Sequence, residues 1–160
     1  MRPRQEVGSS SGSARCAIRL RVAPVILRDD SILLVRHVKQ GRTYWLLPGG
    51  GVEYGEPTAA ALVREIKEET NLDIRVGDLL FVNDSIPPDH HRHVVNLYFA
   101  AEIVGGELRM GTDSNLAELR FVPVAELAGL EFYPDIREPL VRAIRAGFPD
   151  RAMYLGNLWK

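Results

Sequence analysis

A single cysteine, Cys16, excludes an internal disulfide, and no apolar run reaches the length of a membrane span or a secretory core. Lysine is scarce as well. Lys39, Lys67 and Lys160 are the only ones, the rest of the positive charge being arginine. With 20 Lys and Arg against 21 Asp and Glu, the net charge of −1 gives no bulk attraction for nucleic acid or for an anionic membrane. Any affinity for phosphate must therefore come from a local site. These absences predict a cytoplasmic protein with no membrane partner and no bulk nucleic-acid binding.

What is present suffices for one core. A length of 160 residues at 46% hydrophobic content predicts one domain over residues 15–160. Residues 1–14, rich in Ser, Gly and Arg, read as a flexible tail.

Hydrophobic periodicity divides the rest into strands and helices. Ile18, Leu20 and Val22 alternate with Arg19 and Arg21 at the strand period, and Val25-Ile26-Leu27 continues as a more buried strand. Arg28 to Ser31 reads as a turn into a second strand, Ile32 to Val35, making a hairpin. Trp45-Leu46-Leu47 is a short strand stopped by Pro48 and three glycines. Pro57 suits a helix's first turn, and the helix formers from Thr58 to Thr70 follow it, with Ala59, Leu62, Val63 and Ile66 as the expected apolar stripe. Leu79 to Val82, Val94 to Ile103, Glu107 to Met110 and Leu119 to Pro123 read as further strands. Val124 to Ala128 and Asp135 to Ala146 read as a short and a longer helix, the latter with Ile136, Leu140, Val141 and Ile144 inward.

Chemistry is concentrated around the first helix. Glu65, Glu68 and Glu69 stand three and four residues apart, so a helix gathers them on one side as a carboxylate cluster. Crowded like charges are unfavourable alone, and a bound cation compensates them. A solvated helix face is the plainer reading of such a run. Against it stand Gly50, separated from Glu56 by five residues, and Arg64, separated from Glu56 by seven and directly ahead of the cluster.

From Gly50 to Leu72 the chain closely resembles the Nudix box, the signature of hydrolases acting on nucleoside diphosphates linked to another moiety. One position departs from it: Asn71 stands where the pattern has Gly. Asn tolerates the left-handed backbone of a helix C-cap better than other non-Gly residues, so the spacing predicts the same geometry with a different residue. The resemblance implies an α/β/α sandwich on a mixed sheet and a small-molecule nucleotide substrate, and it leaves a homodimer open. It also implies Mg2+, or Mn2+ in its place, held by Glu65, Glu68 and Glu69 together with a carbonyl of Gly49 or Gly50, with Arg64 orienting the carboxylates through a salt bridge. Glu56 is expected to stabilise the loop and helix start.

Several roles stay open at this level. The general base is Glu68 or Glu69 within the box, or Asp113 or Glu118 beyond it. His90, His91 and His93 read as a solvated loop in place of a metal cluster, a structural zinc needing four ligands that one cysteine does not help supply. Within that loop, His91 and Arg92 are candidates for substrate phosphates. Tyr44 is a candidate to stack on a nucleobase at the pocket edge, and Trp45 reads as core.

The expected reaction is cleavage of a phosphoanhydride bond in a nucleoside triphosphate, a dinucleoside polyphosphate or a related derivative. ADP-ribose or nucleotide-sugar cleavage is the alternative, and a non-catalytic nucleotide-sensing module is the alternative of another class, disfavoured by the intact carboxylates. ADP-ribose hydrolases of the resembled family often carry a proline beyond the box, near where Pro87 and Pro88 fall, but paired prolines are also plain turn formers. Residues 1–14 read as too short and polar to be a dimer-completing segment, which tilts the expectation to the first class.

Overall fold

The computed structural model describes residues 17–159. The tail expected over 1–14, and Cys16, lie outside the described residues.

Two sheets are sandwiched between helices. The first is mixed, in the order β5 (Gly50–Gly51), β1 (Ile18–Val25), β7 (His93–Gly106), β6 (Leu72–Ser85) and β9 (Met153–Asn157). β1 runs parallel to β7, with Val22 opposite Leu97, and β9 runs parallel to β6, whereas β6 and β7 form a long antiparallel ribbon. In the second sheet β3 (Ser31–Lys39) pairs antiparallel with β2 (Leu27–Arg28), β4 (Arg42–Leu46) and β8 (Leu116–Pro123).

Strand alternation builds two cores on opposite faces. Val22, Ile26 and Leu33 pack with Ala61, Leu62 and Ile66 of α1 (Thr58–Thr70). Their chain neighbours Ala23, Val25, Ile32 and Leu34 turn the other way. They join Leu127 of a 3-10 helix (Val124–Gly129) and Leu140 and Ala143 of α2 (Arg137–Ala146). The layering is that of the α/β/α sandwich expected from the sequence.

α1 starts after Pro57 and ends at Asn71, which takes φ 61° and ψ 12° and donates its backbone N–H to the Lys67 carbonyl at 3.0 Å. This is the left-handed cap anticipated for the departing position. The buried stripe is rotated from the expected one: Ala61, Leu62, Ile66 and Thr70 face inward, while Ala59 and Val63 are exposed. The run of three alanines before Leu62 offers no contrast by which to fix the phase.

Other elements differ from their expected bounds. α2 begins at Arg137, because Asp135 is engaged in an ion pair with the Arg137 guanidinium at 2.7 Å ahead of the first turn. Glu107 to Met110 is not a strand. There Arg109 N–H donates to the Thr70 carbonyl, so the segment is tied to the end of α1 instead of to a sheet. β3 and β4 meet at Gln40 and Gly41, both at positive φ (51° and 76°), making a hairpin not read from the sequence. β9 was not read either.

Candidate functional site

At the end of α1 the chain converges on a cleft of about 330 Å3. One wall is built by the glycine run. Gly49 takes φ 136°, and a Cβ there would lie 2.1 Å from the Val22 carbonyl oxygen, so only glycine permits the approach of this loop to β1. Gly50 serves the helix instead: a Cβ on it would fall 2.2 Å from Glu65 Oε2. Backbone and carboxylate therefore lie side by side.

Glu65 and Glu69 line this cleft and Glu68 does not. The Glu65 side chain is 17% exposed, against 60% for Glu68, which lines a separate hollow with Val63 and Lys67 and lies 3.6 Å from Arg64. Glu69 accepts a hydrogen bond from the Gly49 N–H at 2.7 Å. Burial pushes its carboxyl up to about 7, with the charges of Glu65 and Asp113 adding to the rise and the Gly49 bond and Arg21 opposing it.

Arg64 organises the group. Its guanidinium donates to both Glu56 oxygens (2.8 and 2.9 Å), to Glu65 Oε1 at 2.8 Å and to the Gly51 carbonyl at 3.1 Å. One side chain thus fixes the loop, the helix and one cleft carboxylate. Glu56, expected to act on the helix start, is the bidentate partner of this arginine and also accepts from the Glu53 N–H. The Arg64 pair depresses the Glu56 carboxyl to about 2.

The rest of the lining is cationic and aromatic. Arg19 and Arg21 of β1, Lys39 at the end of β3, and Arg92 all line the cleft, as does Tyr44. Arg21 is held by a bond to the Leu47 carbonyl at 2.8 Å. His91 lies outside this cleft, in an adjoining hollow, with its Nδ1 2.6 Å from Asp89. His93 contacts Asp84 at 2.7 Å and is likewise away from the carboxylates.

Of the two base candidates beyond the box, Asp113 lines the cleft and Glu118 does not. Gly111 N–H donates to the Glu69 carbonyl at 2.8 Å, and Val38 N–H to the Asn115 carbonyl, which hang the Asp113 loop between α1 and β3. Glu118 is instead clasped by Arg36 at 2.9 Å and Arg120 at 2.8 Å. Trp45 is buried at 8% exposure, as expected of core, with the Arg120 guanidinium 5.0 Å from its ring.

Sequence reasoning missed Arg19, Arg21, Lys39, Tyr133 and the polar floor. That floor is Ser85 and Asn96, joined at 3.2 Å and tied through Asn83 to the buried Tyr98 hydroxyl. The arginines carried a signal: two of them alternate on one strand face, which reads as a solvent face unless the glycine loop is known to pair with that strand. Burial of Ser85 and Asn96 inside strands left no such mark.

The donors fit a divalent cation. Among the described residues no three His, Cys, Asp or Glu side chains converge as a ready-made cage. Mg2+ does not require one, being commonly held by one or two carboxylates plus substrate phosphates. Glu65 and Glu69 supply two, and a cation there would offset both the burial that chiefly raises Glu69 and the nearby charge of Glu65 that adds to it.

Glu65, Glu69 and three arginines thus line one cleft of a three-layer fold. The NUDIX domain model matches residues 18–143, and the chain belongs to this family. Divalent metal cations are general to it. An ADP-ribose pyrophosphatase of Methanocaldococcus jannaschii is 42% identical over 95 residues, covering 59% of this chain and 56% of that protein. A putative 8-oxo-dGTP diphosphatase 2 of Mycobacterium tuberculosis is 32% identical over 124 residues, 71% of this chain and 79% of that one. In fold the chain resembles a NUDIX hydrolase from Nitrosomonas europaea, with a TM-score of 0.72 at 21% identity over 82% of this chain and 91% of that one. The chain spans about half the length of several curated relatives it matches, 56%, 47% and 46%.

Proposed function

We propose that this chain is a divalent-cation-dependent hydrolase, with Mg2+ the expected ion and Mn2+ a substitute, that cleaves a phosphoanhydride bond in a nucleoside diphosphate derivative. The observation that carries the reading is that Glu65 and Glu69 line one cleft together with Arg19 and Arg21. A pyrophosphate repels an attacking water by its own charge. The cation, when bound, neutralises phosphate oxygens and makes water more acidic.

The chain's own groups do the rest. Glu65 and Glu69 would hold the cation, with Glu68 the third carboxylate of the cluster expected to serve it. Arg64 keeps Glu65 in place as a positioning residue. Arg19, Arg21 and Arg92 neutralise and orient the phosphates, and Glu69 or Asp113 takes the proton from the attacking water.

Within this class, nucleoside triphosphates and dinucleoside polyphosphates are the favoured substrates, because Lys39 adds a fourth cation to the three arginines of the cleft. A second reading, ADP-ribose or a nucleotide sugar, is favoured by the 42% identity to the Methanocaldococcus jannaschii protein. A cytoplasmic location accords with either.

The test is a matched panel of these four substrate types with Mg2+, Mn2+ or chelator, followed by product analysis. Hydrolysis of none of them, with nucleotide binding intact, would instead identify a sensing module.

A further inference from the structure

The cleft continues beyond its carboxylates. Lys39, Tyr44, Arg92 and Tyr133 border both it and a second hollow of about 500 Å3, so the two communicate through these side chains. The second hollow carries a different chemistry. Tyr133 meets Tyr44 at 6.0 Å and Trp159 at 5.7 Å in edge-on contacts, and His91 stands edge-on to Trp159 at 6.2 Å. The Arg92 guanidinium lies 4.7 Å from the centre of the Trp159 ring, as in a cation–π contact.

These walls are held by backbone. Leu158 N–H donates to the Asp84 carbonyl at 2.8 Å, and the Asn157 side chain exchanges two bonds with Ile86 (2.9 and 3.2 Å), which positions Trp159 at the end of β9. Tyr133 is held by its N–H, which donates to the Trp45 carbonyl at 2.9 Å, while the Trp45 N–H donates to the Glu131 carbonyl at 2.7 Å. Aromatic groups fixed before binding lose little freedom when a planar ligand arrives.

We infer that this second hollow seats the nucleobase, so that the substrate is a nucleotide derivative whose base packs against Trp159 and Tyr133 while its phosphates extend past Arg92 to Glu65 and Glu69. This rests on the function proposed above. Stacking suits every base, since each has a π-face, and larger purine rings gain more contact than pyrimidines. Arg92 occupies the junction, where one guanidinium serves both the aromatic wall and the first phosphate.

Binding of non-hydrolysable fragments separates this idea from the catalytic one. AMP and ribose 5-phosphate share a phosphate and a sugar and differ by the base. In calorimetric titrations AMP is expected to bind the wild-type protein about tenfold more tightly or better. Trp159→Ala should remove most of that advantage, and Trp159→Phe should keep most of it. For a hydrolysed nucleotide, Trp159→Ala should raise KM about tenfold with a smaller change in kcat.

Equal affinity for the two fragments, no measurable AMP binding, or an AMP advantage untouched by Trp159→Ala would overturn the inference. Should Trp159→Ala fail to fold, Tyr133→Leu decides in its place by the same comparison. Base-dependent binding without hydrolysis of any panel substrate would sink the proposed reaction and leave the base site standing. Hydrolysis without base preference would do the reverse.

Discussion

Arg64 and Glu56, eight residues apart, are joined by two hydrogen bonds of 2.8 and 2.9 Å, and the same guanidinium reaches Glu65 and the Gly51 carbonyl. A bidentate pair of this kind fixes an angle as well as a distance. The loop before α1 and the carboxylate on its inner face therefore share one anchor.

The pair makes stability depend on pH with a definite sign. The Glu56 carboxyl is depressed from 4.5 to about 2 by Arg64, so its contribution is present above pH 4.5 and is lost as pH falls through about 2. Glu56→Gln should melt below wild type at pH 7, and the two curves should converge as pH falls from 4.5 toward 2. Melting curves that stay parallel across that window would show that the pair adds no pH-dependent stability.

Removing charge from the cluster should halt turnover without unfolding the chain. Glu68→Gln and Glu69→Gln are each expected to lower kcat by about two orders of magnitude or more, at saturating Mg2+ and with unchanged circular dichroism. Near-normal rates in both would remove them from the site. Arg64→Ala should act less directly, weakening Mg2+ affinity together with rate, which a metal titration of activity would read.

The two glycines at the cleft should respond differently to one methyl group. At Gly49 the added carbon meets the Val22 carbonyl oxygen at 2.1 Å and the backbone is at positive φ. Gly49→Ala should therefore lose about 2 kcal/mol or more of stability in urea unfolding. At Gly50 the carbon meets only the end of the Glu65 side chain, which can swing away. Gly50→Ala should keep most of its stability and lose rate.

Asn71 offers a measure of the cap. Alanine there must adopt the left-handed backbone and loses the side-chain bond to the Glu107 carbonyl at 2.9 Å, so Asn71→Ala should cost about 1–2 kcal/mol. In Asn71→Gly the same lost bond is offset by a backbone at ease with positive φ, and the change should stay within about 1 kcal/mol. Chemical denaturation of the two variants gives the comparison.

The helix of the box was legible because its carboxylates, proline start and cap lie within one continuous stretch, where a 3.6-residue period needs no knowledge of tertiary structure. Its phase was not, since Ala59, Ala60 and Ala61 are equivalent on any hydrophobic scale. The rest of the cleft lining was hidden for a different reason. Arg19 and Tyr133 are brought to one cleft, and Trp159 to the hollow beside it, by sheet order and by backbone bonds between distant segments, relations that no local pattern encodes. β9 has exposed Met153 and Tyr154 and a glycine at positive φ, so it lacks the alternation by which a strand is read. Of the three histidines expected in a solvated loop, His90 and His91 are exposed, whereas His93 is half-buried at the start of β7. That His91 faces Trp159 could be seen only in three dimensions.

β9 has one more effect. It lies parallel against β6, the last strand on that side of its sheet, and covers backbone groups from Phe81 to Asp84. Without that short strand, Phe81 to Asp84 would present bare amides and carbonyls along the margin of β6, a template for pairing with another chain. A truncation ahead of Met153 would therefore show itself as self-association in addition to any loss of nucleotide affinity. The same five residues that lead the chain to Trp159 thus also cover this stretch of the β6 margin.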